Sequence, residues 1–169
     1  MAFVNLKNKE IQVKIVYYGP GRGGKTTNLE YIYKKFRQRI NTEMVTVKTH
    51  GDRTLFFDFL PFDIGVINGY NVKIQLYTVP GQVKYNATRR LVLRGVDGIV
   101  FVADAMAVRR EKNILALKNL QENLANYKKS IFKIESSRFG RATENHIGTA
   151  PVTLKPAVIQ YSRLWLFVF

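Results

Sequence analysis

The segment Gly19-Pro20-Gly21-Arg22-Gly23-Gly24-Lys25-Thr26 decides the fold, because it has the form G-x-x-x-x-G-K-[ST]. It follows an apolar stretch, 11–17, that is typical of a β-strand, and it precedes a stretch, 27–36, that is typical of a helix. A strand before the loop and a helix after it is the setting in which this pattern binds phosphate. The sequence therefore predicts an α/β fold of the P-loop NTPase class.

Each residue type in this loop, here called the P-loop (Gly19–Thr26), has a chemical reason. Glycines let the chain turn tightly and point successive N–H groups at an anion, which the dipole of the following helix also stabilises. Lys25 adds a positive charge for the β- and γ-phosphates, and Thr26 offers a hydroxyl to Mg²⁺. The alternative is a glycine-rich turn with an incidental lysine. The predicted phosphate-binding residues are Gly19, Pro20, Gly21, Arg22, Gly23, Gly24, Lys25, Thr26 and Thr27.

The composition favours one cytoplasmic domain. A length of 169 residues suits a single domain, which we place at 1–169. The chain has no cysteine, no stretch that resembles a signal peptide and no apolar run that approaches the ~20 residues needed to span a membrane. The formal net charge is +15, but the basic residues are scattered at helical spacing, which is typical of a hydrated surface. Nucleic acid is therefore an unlikely partner, since no RNA-recognition signature accompanies them.

The remaining pattern alternates strands and helices. We predict strands at 11–17, 54–62, 70–79, 98–103 and 157–161, with the second and third closed by a turn at Asn68-Gly69. Helices are predicted at 27–36, 85–94 and 108–127, the last with Ile114, Leu117, Leu120 and Leu124 in the core. This order indicates a mostly parallel sheet with helices on both faces and one antiparallel edge strand. The stretch 130–156 has little periodicity and is predicted to be a surface loop or a disordered insertion.

Three further motifs accompany the P-loop. They are Leu76-Tyr77-Thr78-Val79-Pro80-Gly81-Gln82, Asp52-Arg53-Thr54-Leu55-Phe56-Phe57-Asp58-Phe59-Leu60-Pro61 and Val102-Ala103-Asp104. With them, the chain from about 11 to 124 resembles the small Ras-like GTPases of the bacterial MglA type, which act in gliding motility and cell polarity. The resemblance implies a switch that binds GTP or GDP with Mg²⁺ and hydrolyses GTP. It also implies a roadblock-fold GTPase-activating partner and downstream motility or polarity effectors.

The resemblance also implies particular residue roles. Thr26 and Thr54 would hold Mg²⁺, Gly81 would present its N–H to the γ-phosphate, and Gln82 would orient the attacking water. Arg53 would be the charge-neutralising arginine, supplied by the same chain. Considered without the other motifs, each of these residues has a simpler interpretation. Gln82 could be a solvated residue at the start of a helix, and residues 53–54 could form an ordinary turn before a strand. A positioned water and a nearby cation supply most of what phosphoryl transfer needs.

Two departures from the family pattern affect metal and base binding. Thr78 stands where most Ras-like proteins have an aspartate, so we expect no carboxylate near Mg²⁺. After 157–161 the family has N-K-x-D, whose aspartate selects guanine, whereas this chain has Ser162-Arg163-Leu164-Trp165. Without that acceptor, discrimination between GTP and ATP should largely vanish. A nucleotide-binding module with weak or no GTPase activity is therefore the alternative to the enzyme.

The C-terminal part, 157–169, is expected to be incomplete. A Ras-like domain normally adds a helix, a last strand and a last helix after this point, and without them 164–169 would be an apolar tail with no covering layer. Three explanations compete: a truncated or frame-shifted derivative, a tail that repacks against the sheet, or a half-domain that depends on a partner. We favour the first, because the motif decay and the end of the chain coincide.

Overall fold

The computed structural model describes residues 3–40, 43–47, 57–129, 157–161 and 164–168. They form an eight-stranded sheet and three α-helices. The strands are β1 (Phe3–Asn5), β2 (Glu10–Tyr18), β3 (Val45–Val47), β4 (Phe57–Ile67), β5 (Tyr70–Thr78), β6 (Gly98–Asp104), β7 (Ala157–Tyr161) and β8 (Leu164–Val168). The helices are α1 (Lys25–Phe36), α2 (Asn86–Leu93) and α3 (Arg110–Ala125), with 3-10 turns at Arg37–Arg39, Val83–Tyr85 and Ala107–Arg109. The predicted loop or insertion at 130–156 lies outside the described residues.

The sheet is mixed rather than mostly parallel, so that part of the prediction is wrong. Its order is β3-β4-β5-β2-β6-β8-β7, and β1 pairs with β2. Strand β2 is parallel to its neighbours β5 and β6, and every other pairing of the described strands is antiparallel. Connection length explains the difference: only two residues separate β4 from β5, and likewise β7 from β8, and so short a connection joins antiparallel strands.

The predicted apolar tail forms a strand inside the sheet. Strand β8 pairs with β6 on one side, where Val102 lies opposite Leu166, and with β7 on the other, where Ile159 lies opposite the same residue. The tail therefore satisfies its backbone hydrogen bonds on both edges, which agrees with the alternative of a tail that repacks against the sheet. It also separates β7 from β6, so β7, the strand that precedes Ser162, lies at an edge of the described sheet.

Helices cover both faces of the sheet, as predicted. Alternate residues of the central strands enter different cores: Tyr18 packs with α2 and α3, whereas Tyr17 packs with α1. The first core contains Val16, Tyr18, Val79, Val92, Leu93, Val96, Ile99, Phe101, Ala103, Ala116, Leu120 and Leu124. The second contains Tyr17, Leu29, Ile40, Leu60, Leu76, Val100 and Val102. These two cores fix the carboxyl ends of β2, β5 and β6, where the P-loop begins.

Helix α3 buries three of its four predicted core residues. Leu120 and Leu124 are fully buried and Leu117 is partly buried, but Ile114 is 44% exposed. The buried face instead includes Asn119 and Asn123, which the leucine periodicity did not reveal. Among the described helices, none combines the length and the apolar character needed to cross a lipid bilayer.

Candidate functional site: a phosphate-binding loop and its surroundings

The P-loop is formed and closely packed against β6. Gly19 has a φ of 147°, and a Cβ at this position would lie 2.2 Å from the carbonyl oxygen of Val102. No side chain fits there, so the first glycine of the motif is needed for close approach to β6. The loop then turns through Arg22, which has a positive φ of 63°, and enters α1 at Lys25. The start of α1 therefore faces the cavity above the loop, which is the arrangement that binds anions.

The side chain of Lys25 lies inside this loop and is only 7% exposed. Its Nζ donates hydrogen bonds to the carbonyl oxygens of Pro20 at 2.7 Å and Gly19 at 3.3 Å. Burial, and after it the positive charge of Arg89, lower the pKa of Lys25 to about 7, and the negative charge of Asp58 opposes this shift. The ammonium group is thus held in place by carbonyls but lacks a full counter-charge, so a bound anion would stabilise its charged form.

A carboxylate does lie beside Thr26, contrary to the expectation drawn from Thr78. Asp58, on β4, is fully buried, and its Oδ2 accepts hydrogen bonds from Thr26 Oγ1 at 2.6 Å and from Thr78 Oγ1 at 2.8 Å. The backbone N–H of Asp58 also donates to Thr78 Oγ1 at 2.8 Å. Thr78 therefore orients a carboxylate that the neighbouring strand supplies. An inward-facing aspartate in the apolar run of β4 is the signal that could have revealed it.

The residues present fit a magnesium ion at this point. Asp58 Oδ1 is buried and has no hydrogen-bond partner among the described residues, and the Thr26 hydroxyl keeps lone pairs while it donates its proton to Oδ2. Hard oxygen donors of this kind suit Mg²⁺, which usually keeps waters and phosphate oxygens as further ligands. Within the described residues no cluster of three or more His, Asp or Glu side chains could hold a metal by itself.

The chain from Pro80 to Gln82 lies directly over the P-loop. A Cβ on Gly81 would be 2.2 Å from the Cα of Gly21 and 2.5 Å from its backbone nitrogen, so glycine is required by close approach. Gln82 follows with an extended backbone, at φ −87° and ψ 129°, and both residues line the cavity above the loop. The structure therefore brings Gly81 and Gln82 next to the phosphate site, and their chemical roles stay predictions.

The cavity has a volume of about 760 Å³ and is bordered by several cations. P-loop residues and Val79–Gln82 form one side, and residues of α3 and the turn before it form the other. Its basic lining residues are Arg22, Lys25, Arg109 and Lys112. The high positive charge of the chain is thus partly concentrated where a polyphosphate would bind, a placement that the scattered sequence pattern did not indicate.

Arg109 and Lys112 belong to the basic residues whose scattered spacing is typical of a hydrated surface. Arg109 Nε lies 3.2 Å from Asp104 Oδ2, and its Nη2 donates a long hydrogen bond of 3.5 Å to the carbonyl oxygen of Gly21. Asp104 is fixed in turn by Asn113, whose side chain accepts from the Asp104 N–H at 2.9 Å and donates to its carbonyl at 2.8 Å. These contacts tie the start of α3 to the P-loop.

A buried polar cluster joins the end of β2 to α2 and α3. Tyr18 Oη donates to Asn119 Oδ1 at 2.8 Å and accepts from Asn123 Nδ2 at 3.1 Å. Asn86 Oδ1, at the start of α2, accepts from Asn119 at 3.0 Å and from Asn123 at 2.7 Å. Two asparagines at i, i+4 spacing on an apolar helix face are the sequence signal for this cluster. It fixes α2 and the preceding 82–85 segment relative to the P-loop.

Arg89 is buried beside this cluster, although its neighbours in sequence suggested a solvated face. It is fully buried, its guanidinium lies 4.4 Å from the centroid of the Tyr18 ring, and none of its three nitrogens donates a hydrogen bond of normal geometry to a described residue. Burial lowers the pKa of Arg89, and the Tyr18 hydroxyl opposes that shift. A buried guanidinium held mainly by a cation–π contact is destabilising, and its charge contributes to the low pKa of Lys25.

Some predicted site residues cannot be placed. Arg53 and Thr54 lie outside the described residues, as do Ser162 and Arg163 of the altered guanine motif. The described part of the site therefore consists of the phosphate-binding end and the Thr26–Asp58 pair. It contains a cavity lined by cations, a carboxylate hydrogen-bonded to a threonine hydroxyl, and Gln82 at the edge of the cavity.

The comparison with known proteins agrees with the motifs. No family model matches the chain. Among curated proteins, the chain is similar to the "Mutual gliding-motility protein MglA" of Myxococcus xanthus (strain DK1622), with 54% identity over 125 residues. The matched residues are 74% of this chain and 64% of that protein, so the match spans less than two thirds of the relative's length. This similarity confirms the predicted resemblance to the MglA type.

Proposed function

We propose that this chain, which resembles the gliding-motility protein over 125 residues, is a GTP-binding switch of the MglA type that hydrolyses GTP to GDP and phosphate. The observation that carries the proposal is Lys25, buried inside a formed P-loop with its ammonium group held by the carbonyls of Gly19 and Pro20. Burial of an ammonium group without a counter-charge costs free energy, and an anion in the loop would offset that cost.

The chain's own residues would bind the triphosphate from several sides. Backbone N–H groups of the P-loop and the start of α1 would donate to the phosphate oxygens, and Lys25 would neutralise the β- and γ-phosphates. Mg²⁺, when bound, would supply positive charge that helps to neutralise the phosphates. Thr26 would hold the ion, with Asp58 keeping the threonine hydroxyl oriented, and Thr54 would complete the set by resemblance.

Hydrolysis would depend on water positioning and charge neutralisation. Gln82, at the edge of the cavity, would orient a water for attack on the γ-phosphorus, and Arg53 would stabilise the charge that develops. The bond from the γ-phosphorus to the β–γ bridging oxygen breaks, which leaves GDP and inorganic phosphate. Loss of the γ-phosphate would release the segments around Thr54 and Gly81, and partners would detect that change.

The cellular role is taken from the relative's name, the partners are taken from the resemblance to the MglA type, and both are part of this proposal. The relative is a gliding-motility protein, and we extend that role, together with cell polarity, to this chain. A roadblock-fold GTPase-activating protein and motility effectors would bind near Gln82, where hydrolysis changes the structure.

Competition between nucleotides tests the proposal and its guanine assignment. Fluorescent GTP is bound to the chain with Mg²⁺ and displaced by unlabelled GTP, GDP or ATP. Competition by GTP and GDP that is at least ~10-fold stronger than competition by ATP, equivalent to ~1.4 kcal/mol, would support the guanine assignment. Equal competition by ATP would mean that the changed 162–165 motif no longer selects guanine, and absence of binding would overturn the proposal.

A further inference from the structure

We propose that Arg109, at the start of α3, binds the γ-phosphate and so makes the site prefer nucleoside triphosphate over diphosphate. This inference rests on the proposed function, since it assigns a new residue to the same nucleotide site. It adds a cation on the side of the cavity opposite to α1, where neither the P-loop pattern nor the resemblance places one.

The position of Arg109 relative to Gly21 carries the argument. Gly21 is the P-loop residue that Gly81 approaches most closely, and Gly81 is the residue expected to donate to the γ-phosphate. Arg109 Nη2 contacts the carbonyl oxygen of the same Gly21, at 3.5 Å. Gly81 and Arg109 therefore converge on one point of the loop from different elements. That point is the γ-phosphate end of the site.

Contacts with neighbouring residues also fix the position of the Arg109 guanidinium. Its Nε is fixed by Asp104 Oδ2 at 3.2 Å, and Asp104 is itself fixed through Asn113 and through the N–H of Met106, which donates to Asp104 Oδ1 at 3.1 Å. Arginine carries five N–H donors, and these contacts use only two of its nitrogens. The side chain is 19% exposed and lines the cavity, so it remains accessible to a ligand.

The contact with Gly21 is weak at 3.5 Å, whereas a charge-assisted bond to a phosphate oxygen is short and strong. A γ-phosphate would therefore replace the carbonyl as the partner of Nη2 without breaking the Asp104 pair. Bidentate recognition of phosphate is the chemistry in which arginine exceeds lysine. Because GDP lacks the γ-phosphate, the contribution of Arg109 should appear in the triphosphate complex alone.

The test compares a non-hydrolysable GTP analogue with GDP, both with Mg²⁺, on the same variants. For Arg109→Ala we expect affinity for the analogue to fall ~10-fold or more, while affinity for GDP changes less than ~2-fold. Arg109→Lys should recover only part of the loss. Arg110→Ala is the matched control: it removes the same charge one residue away, from an exposed side chain that lines a different depression. The ratio of its affinity for the analogue to its affinity for GDP should equal the ratio for the unmodified chain.

Each other outcome contradicts the inference. If Arg109→Ala loses affinity for both ligands equally, Arg109 acts through its general electrostatic field or by shaping the loop. If the variant loses no affinity for either ligand, Arg109 does not contact phosphate. Thermal unfolding of the same samples shows whether the variant is folded. If the unmodified chain binds neither ligand, the proposed function fails together with the inference. If it binds both and the ratio is insensitive to Arg109, only the inference fails.

Discussion

Raising the pH should weaken nucleotide binding through one group, the Lys25 ammonium. In the chain without nucleotide, burial and the nearby charge of Arg89 lower the pKa of Lys25 to about 7. A bound polyphosphate supplies negative charge beside the ammonium and would raise that pKa again. Binding must therefore take up a proton at any pH above about 7, and the affinity must fall as the pH rises.

The magnitude follows from the fraction of Lys25 that is charged before binding. With a pKa of about 7, that fraction is roughly one quarter at pH 7.5 and about one hundredth at pH 9. The dissociation constant should thus increase ~25-fold over this range if the bound form stays charged throughout. The phosphates themselves add little, because their last ionisation lies near pH 6.

Isothermal titration calorimetry measures the proton directly. Binding enthalpies in buffers of different ionisation enthalpy, all at pH 8, should give an uptake of ~0.9 proton per nucleotide bound. Arg89→Met removes one cause of the low pKa, so its affinity profile should move to higher pH. Arg90→Met, which removes the same charge from an exposed neighbour, should leave the profile where it is.

An uptake near zero at pH 8, or an affinity that is constant between pH 7.5 and 9, would refute the reasoning. Either result would mean that Lys25 is already charged in the empty loop. The low pKa of Lys25 also affects the stability of the fold. Between about pH 7 and 10 the unfolded chain binds more protons than the folded one. Lys25 should therefore make the empty protein more stable as the pH rises through that window.

Three other substitutions test separate parts of the site. Gln82→Ala should bind GTP normally but lower turnover ~100-fold or more, measured as GDP formed by chromatography, and unchanged turnover would point to another water-positioning group. Asp58→Asn should weaken the Mg²⁺ dependence of nucleotide binding ~10–100-fold in a metal titration, since it removes the charge that orients Thr26; an unaltered titration would exclude that role. Arg89→Met should raise the free energy of unfolding, measured by urea denaturation, by ~1–3 kcal/mol, because it removes three buried nitrogens that have no hydrogen-bond partner among the described residues. A free energy of unfolding below that of the unmodified chain would contradict the destabilising role of Arg89.

The P-loop was predictable from sequence because its geometry is local. Gly19 and Lys25 are six positions apart, and the strand and helix that flank them have their own periodicity. The hairpin at Asn68-Gly69 was equally local, and the structure confirms it.

The carboxylate beside Thr26 was missed because it depends on strand pairing. Asp58 is 32 positions from Thr26 and 20 from Thr78, and it reaches both only because β4 pairs with β5. The family pattern places the acidic residue at the position of Thr78, on β5, whereas the structure has it on β4. Side-chain contacts across a sheet need the register, which periodicity alone does not give.

The charged residues of α2 and α3 were missed for a related reason. Arg89 and Arg109 belong to short basic clusters, and a one-dimensional pattern assigns such clusters to solvent. The packing of α2 on β2 buries Arg89, and the turn before α3 directs Arg109 to the P-loop. The place of β8 between β6 and β7 was also not deducible, because an apolar run does not specify which strand it will pair with.

Equilibrium binding of fluorescent GTP to the unmodified chain and to Lys25→Ala, side by side with Mg²⁺ at pH 7, tests the central claim most directly. The phosphate-binding loop predicts saturable binding to the unmodified chain and no measurable binding to the variant, whose thermal unfolding confirms that it is folded. Equal affinity for the two proteins would contradict the account, because the ammonium group held by Gly19 and Pro20 would then have no part in binding nucleotide.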